Sequence, residues 1–349
     1  MAGARSVAAL GLATALAASC APQQRVHSGR FLAFGTLVEV TIWGTDERRA
    51  HQAIHAVEQE FRFMHRTWHA WRPGALGRVN ALLATTEWFS VPPSVRPLIV
   101  RGTELAETSR GLFNPAIGKL VELWGFHQDE RPAEPPPEPG QIAELVEQAP
   151  RMTDLELEGI RLRSRNSAVQ LDFGAFAKGY GVDRAIELLR QRGIDNAVIN
   201  AGGDLRAIGR HGERPWRIGI RDPRGPGILA SLEIEGDESV FTSGDYERYF
   251  DFEGVRYHHI LDPRTGRPAR GVTSVTVIHN QGAAADAAAT ALFVAGVGQW
   301  RDIARSMGIK FVMLVDASGH VHMNPAMAER IRFEGEETPP VTVTVTDPL

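Results

Sequence analysis

Asp286 and Thr290 stand four residues apart in Ala283–Thr290 (AAADAAAT), a run otherwise made of alanine. On a helix, that spacing sends both side chains off one face. A carboxylate and a hydroxyl are hard oxygen donors, the kind magnesium takes together with water and phosphate oxygens. A plainer role fits the same pair: Asp286 as a favourable charge near a helix start, and Thr290 as packing. A second concentration is Leu171–Asp183 (LDFGAFAKGYGVD). Here a strand pattern passes through small residues into a helix start, whose free amides and partial positive charge suit an anion. Lys178 falls in the first turn, where the macrodipole disfavours a cation, and a bound anion nearby would account for it. The alternative is a solvated Lys178, with Asp172 capping its own loop. The third concentration pairs Thr242–Tyr246 (TSGDY) with Tyr257–Gly266 (YHHILDPRTG). Both are turn sequences whose glycines admit a ligand close to the backbone, and a histidine beside them can contact phosphate or move a proton. Two ordinary tight turns, with Asp262 bonding its own loop, are the alternative. Taken together, the three segments point to a metal-assisted site for a phosphate-containing ligand.

Other motifs do not survive inspection. Gly118-Lys119 is followed by Leu120 rather than Ser or Thr, and Phe113 stands where a phosphate loop needs its first glycine. Gly202-Gly203-Asp204 follows a strand but is not a dinucleotide fingerprint. The pairs His51/His55 and His65/His69 have ligand spacing without the glutamate of a zinc-protease helix, so surface or packing roles are expected. The same is expected of His320 and His322. No serine nucleophile elbow is present.

The chain that must position these groups has 349 residues, with Lys+Arg 38 against Asp+Glu 42 and a formal charge of −4. That balance argues against a nucleic-acid binder, and the 43% hydrophobic content is that of a globular protein. The single cysteine, Cys20, excludes an internal disulfide and any cysteine-based zinc site. Before it lie one charge, Arg5, and the apolar run Val7–Ala18, which is too short to span a bilayer and ends in Ala17-Ala18-Ser19. This resembles a bacterial lipoprotein signal with Cys20 as the lipidated residue. An ordinary cleaved secretory signal is the alternative. The expected organisation is a signal at 1–19, a linker at 20–30, one domain at 31–335 and a tail at 336–349. The expected location is exported and membrane-anchored, facing the periplasm, on the inner membrane.

Strict alternation over Thr36–Trp43 predicts a half-buried strand. Helical spacing predicts helices over Glu47–Phe63, Pro97–Thr108, Phe176–Arg192 and Ala283–Val297. Strands are expected at Asn196–Asn200, Trp216–Ile220, Leu232–Ile234 and Ser274–His279, and a hairpin from Lys310–Val315 and His320–Met323. The proline-rich Arg131–Gly140 reads as an exposed loop, and Val341–Thr346 as an edge strand or a loose end. Strands and helices mix without regular alternation. The fold class is therefore α+β, with mixed and antiparallel sheets and packed helices.

The three chemical segments, in their chain order of Leu171–Asp183, Thr242–Gly266 and Ala283–Thr290, resemble the FAD:protein FMN transferase family of the ApbE type. The likeness runs from about Phe34 to Val297. It includes Phe34-Gly35-Thr36, Phe113–Gly118 (FNPAIG), Leu123–Phe126 (LWGF) and Asn200–Asp204 (NAGGD) besides the blocks above. It implies an enzyme that moves the FMN half of FAD onto a Thr or Ser hydroxyl of an acceptor flavoprotein, forming a phosphodiester and releasing AMP. By match to the family's motifs, Asp286, Thr290 and the backbone carbonyl of Ala175 are implied magnesium ligands. Asp172, Lys178, Ile260, Leu112, Phe113 and Asn114 are implied FAD contacts. His259, not His258, is implied at the reacting phosphate. Asn114 stands where the family usually has Asp. Two other readings use the same site: a magnesium-dependent FAD pyrophosphatase giving FMN and AMP, and a non-catalytic FAD-binding protein.

Overall fold

The computed structural model describes residues 26–128, 135–334 and 341–349. The expected signal and Cys20 lie outside them. At the centre is a nine-stranded sheet whose strands follow one another in strict chain order. It runs from Val26–Ala33 and Thr36–Trp43, through Ala197–Ala201, Asp204–Gly209, Gly236–Gly244 and Val272–His279, to Phe311–Asp316, Val321–Met323 and Val343–Val345. Every neighbouring pair is antiparallel except the last, Val321–Met323 with Val343–Val345. The fold is α+β, as the sequence indicates.

The alternation of Thr36–Trp43 places Val38, Val40 and Ile42 in a main core under the helices. That core also takes one face of the helix Glu47–Thr67, through Ala53, Val57, Phe61 and Met64. Asp46 caps this helix by accepting from the Arg49 amide at 2.9 Å. The helix outlasts the expected end at Phe63 because Met64 still falls on the buried face. The strand Phe311–Asp316 is covered on both sides. Val312 and Leu314 enter the main core, while Met313 and Val315 enter a second core. That second core is closed by a three-stranded sheet of Trp216–Arg221, Ile228–Ile234 and Ile331–Phe333. A strand buried on both faces reads as a continuous apolar run, as this one does.

Other boundaries also differ from expectation, three of them in ways that matter to the fold. The stretch 20–30 is not all linker: from Val26 it is an edge strand paired with Thr36–Trp43. Its polar, Gly-containing start hid it, because an edge strand needs little apolar surface. The proline-rich segment does not stay a loop throughout, since Pro139-Gly140 opens the helix Pro139–Glu147. Proline suits a first helical turn, where its missing N–H has no partner to lose. The alanine-rich helix spans Gly282–Ser306 rather than stopping at Val297, with a break at Gly296, whose φ is 67°. Glycine tolerates that conformation, so the chain bends there and resumes helix.

Two helices carry Lys178, Asp286 and Thr290, and small residues let them cross at backbone contact. Ala177–Gln191 and Gly282–Ser306 meet at Gly179 and Gly282. A methyl at Gly282 would sit 2.7 Å from the Gly179 carbonyl oxygen, and one at Gly179 would strike the Gly282 carbonyl. Asp183 of the first helix caps the second. Its two carboxylate oxygens accept from the amides of Gly282 at 2.7 Å and Ala283 at 2.9 Å. The glycines and alanines of both segments are thus explained by packing, independently of any ligand. Gly179→Ala should therefore force the helices apart and cost about 1–3 kcal/mol, as overpacking does. Chemical denaturation with an unchanged midpoint would show that the crossing yields freely.

Candidate active site

The crossing also delivers Asp286 to its place. Asp286 Oδ2 accepts a hydrogen bond from the Gly179 amide at 3.0 Å, across 107 residues of sequence. The carboxylate is 6% exposed. One turn along the same helix, Thr290 Oγ1 lies 3.2 Å from Ser243 Oγ, on the end of the strand Gly236–Gly244. The neighbouring Thr242 bonds Thr276 through their hydroxyls at 2.9 Å. Ala175 is four residues before Gly179, in the loop that leads into the first helix, and is half-buried. Asp286 and Thr290 therefore stand at and beside one helix crossing, with Ser243 added by the fold and Ala175 in the loop that leads into it.

Lys178 is partly exposed, but it does not stand free in solvent. Its ammonium forms an ion pair with Asp204, which in turn accepts from the Thr242 amide at 2.9 Å. Burial alone would lower the lysine's pKa, but the charges of Asp204 and Asp286 outweigh it and raise it. The cation at the helix start is thus matched by a protein carboxylate. For Asp286 the balance tips the other way. Burial raises its carboxyl well above the usual range, and Lys178 counters this only in part. Asp204 was legible only as part of Gly202-Gly203-Asp204. Its role shows when the strand it opens lies beside the helix that bears Lys178.

Asp172 folds back on its own loop, Oδ1 accepting from the Gly174 amide at 2.8 Å. The loop is anchored on both sides. Asn80 clamps Leu171 through both backbone groups, at 2.9 and 2.8 Å, and the Asp172 amide donates to the Pro115 carbonyl at 2.8 Å. Asn114 is engaged in the same neighbourhood: its Nδ2 donates to the Pro150 carbonyl at 2.9 Å, and its Oδ1 accepts from the Ala116 amide at 3.1 Å. Leu112, Phe113 and Ile260 are buried in the main core. Phe113 packs edge-on against Phe176, with ring centres 5.6 Å apart. Buried in this way, these apolar side chains present little surface to a ligand.

The two adjacent histidines have opposite environments. Both ring nitrogens of His258 are engaged: Nε2 donates to the Ala269 carbonyl at 2.8 Å, and Nδ1 accepts from the Ile260 amide at 3.3 Å. His259 uses one nitrogen, Nδ1, on the Arg248 carbonyl at 3.2 Å. A carbonyl only accepts, so Nδ1 carries the proton and Nε2 keeps its lone pair. Burial and the positive Arg248 hold the His259 imidazole down at about 3, and Lys178 adds to the effect. His259 is therefore neutral at any ordinary pH, and it senses the same charge that neighbours Asp286.

A buried carboxylate beside partly buried hydroxyls, a paired lysine and a neutral imidazole with, among the described residues, one nitrogen unengaged define a site for chemistry at phosphate, where positioning and charge neutralisation dominate. The chain belongs to the ApbE family, whose model matches residues 34–313. A Rhodobacter capsulatus protein named FAD:protein FMN transferase is 47% identical over 317 residues, which cover 90% of this chain and 60% of that protein. The chain thus spans less than two thirds of that relative's length. A Treponema pallidum protein of the same name is 32% identical over 343 residues, covering 90% of this chain and 91% of its own. The crystal structure of an ApbE protein from Thermotoga maritima superposes with a TM-score of 0.81 at 32% identity, covering 88% of this chain and all of that one.

Proposed function

We propose that this protein transfers the FMN half of FAD to a threonine or serine hydroxyl of an acceptor flavoprotein and releases AMP. The observation that carries the reading is the convergence of Asp286, Thr290, Ser243 and Lys178 at one helix crossing, in a chain 47% identical to a protein of that name. In the reaction, the acceptor oxygen forms a bond to the FMN phosphorus as the bond from that phosphorus to the AMP oxygen breaks. His259 Nε2, with its lone pair free, takes the proton of the acceptor hydroxyl. The Arg248 carbonyl holds the ring in the tautomer this needs. Lys178, kept charged by Asp204, faces the negative charge of the substrate phosphates.

The residues present fit Mg²⁺. The donors are hard oxygens, and the raised Asp286 carboxyl marks a place short of positive charge. Asp286, Thr290 and the Ala175 carbonyl would hold the ion. When bound, it would neutralise pyrophosphate oxygens and ease departure of AMP. The exported, lipid-anchored location proposed here rests on Ala17-Ala18-Ser19-Cys20 and the apolar run before it.

Incubating the protein with FAD, Mg²⁺ and a threonine-bearing flavin-acceptor domain should add one FMN residue to the acceptor's intact mass, and EDTA should prevent it. Accumulation of free FMN and AMP with no mass gain would instead support the pyrophosphatase reading.

A further inference from the structure

The hairpin of Phe311–Asp316 and Val321–Met323 bears a cluster that the active site does not use. Asp316, His320 and His322 each offer one ligand atom, and the three atoms lie within 4.8 Å of one another. Strand geometry brings them together. His320 lies just before the strand Val321–Met323, its carbonyl accepting from the Asp316 amide at 3.0 Å, and His322 lies within that strand. His322 sits opposite Leu314 in the register, which has the same parity as Asp316. The two imidazole rings stack, with centres 4.5 Å apart and planes at 20°. His322 Nε2 lies 3.0 Å from Asp316 Oδ2.

The carboxylate is held ready. Its other oxygen, Oδ1, accepts from the Ser318 amide at 2.8 Å, the Ser318 hydroxyl at 2.6 Å and the His320 amide at 3.1 Å. Oδ2 is left facing the histidines. Two donors on a tetrahedral zinc, each about 2.0–2.2 Å from the metal, lie about 3.3–3.5 Å apart. A metal can therefore enter between Asp316 and His322 with a few tenths of an ångström of movement, and His320 joins it by turning its ring out of the stack, because an imidazole binds a metal in its own ring plane.

We propose that Asp316, His320 and His322 form a second metal site, which binds Zn²⁺ and is separate from the oxygen-donor site at Asp286. Two imidazoles and one carboxylate select zinc over magnesium, because magnesium prefers all-oxygen surroundings. The site has a structural consequence. His320 Nε2 bonds Thr344 Oγ1 at 2.8 Å, and Thr344 lies in the short, parallel edge strand Val343–Val345. A bound metal would orient His320 and so secure that strand against the hairpin.

The test is a Zn²⁺ titration by calorimetry of EDTA-stripped protein, run beside a His320→Gln/His322→Gln double variant, Asp316→Asn and Asp286→Asn. The wild type and Asp286→Asn should each bind one zinc tightly. The double variant should bind it more than about 100-fold more weakly, since ligands are lost rather than their outer supports. Asp316→Asn, which keeps the turn's acceptors but loses the charge, should weaken it too. Co²⁺ should give the strong visible absorption of a tetrahedral site in the wild type and not in the double variant. Equal zinc affinity in the wild type and the double variant, no zinc uptake by the wild type, or loss of zinc in Asp286→Asn would each overturn the assignment.

Discussion

Asp286→Asn should reduce both FMN transfer and any FAD hydrolysis by about 10³-fold or more, the effect of removing several kcal/mol of charge stabilisation at phosphate. The substitution is chosen to leave the fold intact. Asparagine keeps an oxygen for the Gly179 amide, so the bond between the two crossed helices survives. What is lost is the negative charge that burial makes costly and that a dication would relieve. An unchanged melting temperature with activity gone would separate the charge from the scaffold. Activity within a few-fold of wild type would remove Asp286 from the metal site and with it the magnesium reading. Thr290→Val is the companion change. It deletes the hydroxyl beside Ser243 while keeping the volume, and it should raise the Mg²⁺ concentration needed for half-maximal activity.

His259→Gln should lower the transfer rate by about 10²–10⁴-fold, the range of a lost general base, while leaving KM for FAD nearly unchanged. Glutamine retains a donor for the Arg248 carbonyl but offers no basic nitrogen. The pH profile sharpens the test. Burial and Arg248 lower the His259 pKa to about 3, so the neutral, proton-accepting form persists as pH falls through the ordinary histidine value of 6.5. The wild-type rate should therefore show no histidine-type loss between pH 7 and 5. A clear loss centred near 6.5 would mean that the working base is a differently placed, solvated group. The same lowering has a stability cost in acid. Between about 3 and 6.5 the unfolded chain binds a proton that the folded one refuses, so stability from this group is full above 6.5 and falls as pH drops through that window.

Much of the fold was legible because local rules act over a few residues. Thr36–Trp43 was readable because one face of that strand is buried, which enforces alternation. Glu47–Thr67 was readable from its apolar stripe, though its last turn was hidden by His65, Arg66 and Thr67, and only Met64 reaches the core there. Val26–Ala33 was not legible. It is an edge strand, and of its eight residues only Phe31 and Ala33 are buried. The break at Gly296 was equally silent, since a glycine within a helical pattern does not announce whether the helix stops or bends.

The candidate site divides along the same line. Residue types and spacing by themselves determined that Asp286 and Thr290 share a helix face, that a helix starts at about Phe176, one residue before its observed start at Ala177, and that His259 sits beside a tight turn. The family resemblance rests on those segments as well. The tertiary structure alone decided that Asp286 meets the Gly179 amide, that Lys178 pairs with Asp204, that Asp183 caps a helix a hundred residues away, and that, among the described residues, His259 rather than His258 keeps a nitrogen free. It also gathered Asp316, His320 and His322, which in the sequence were two surface histidines and a turn aspartate. The reason is the range of the forces. Periodicity and turn chemistry are written in neighbouring residues, whereas charge pairing and close helix crossings depend on where the chain returns, and that is set by the packing of the whole core.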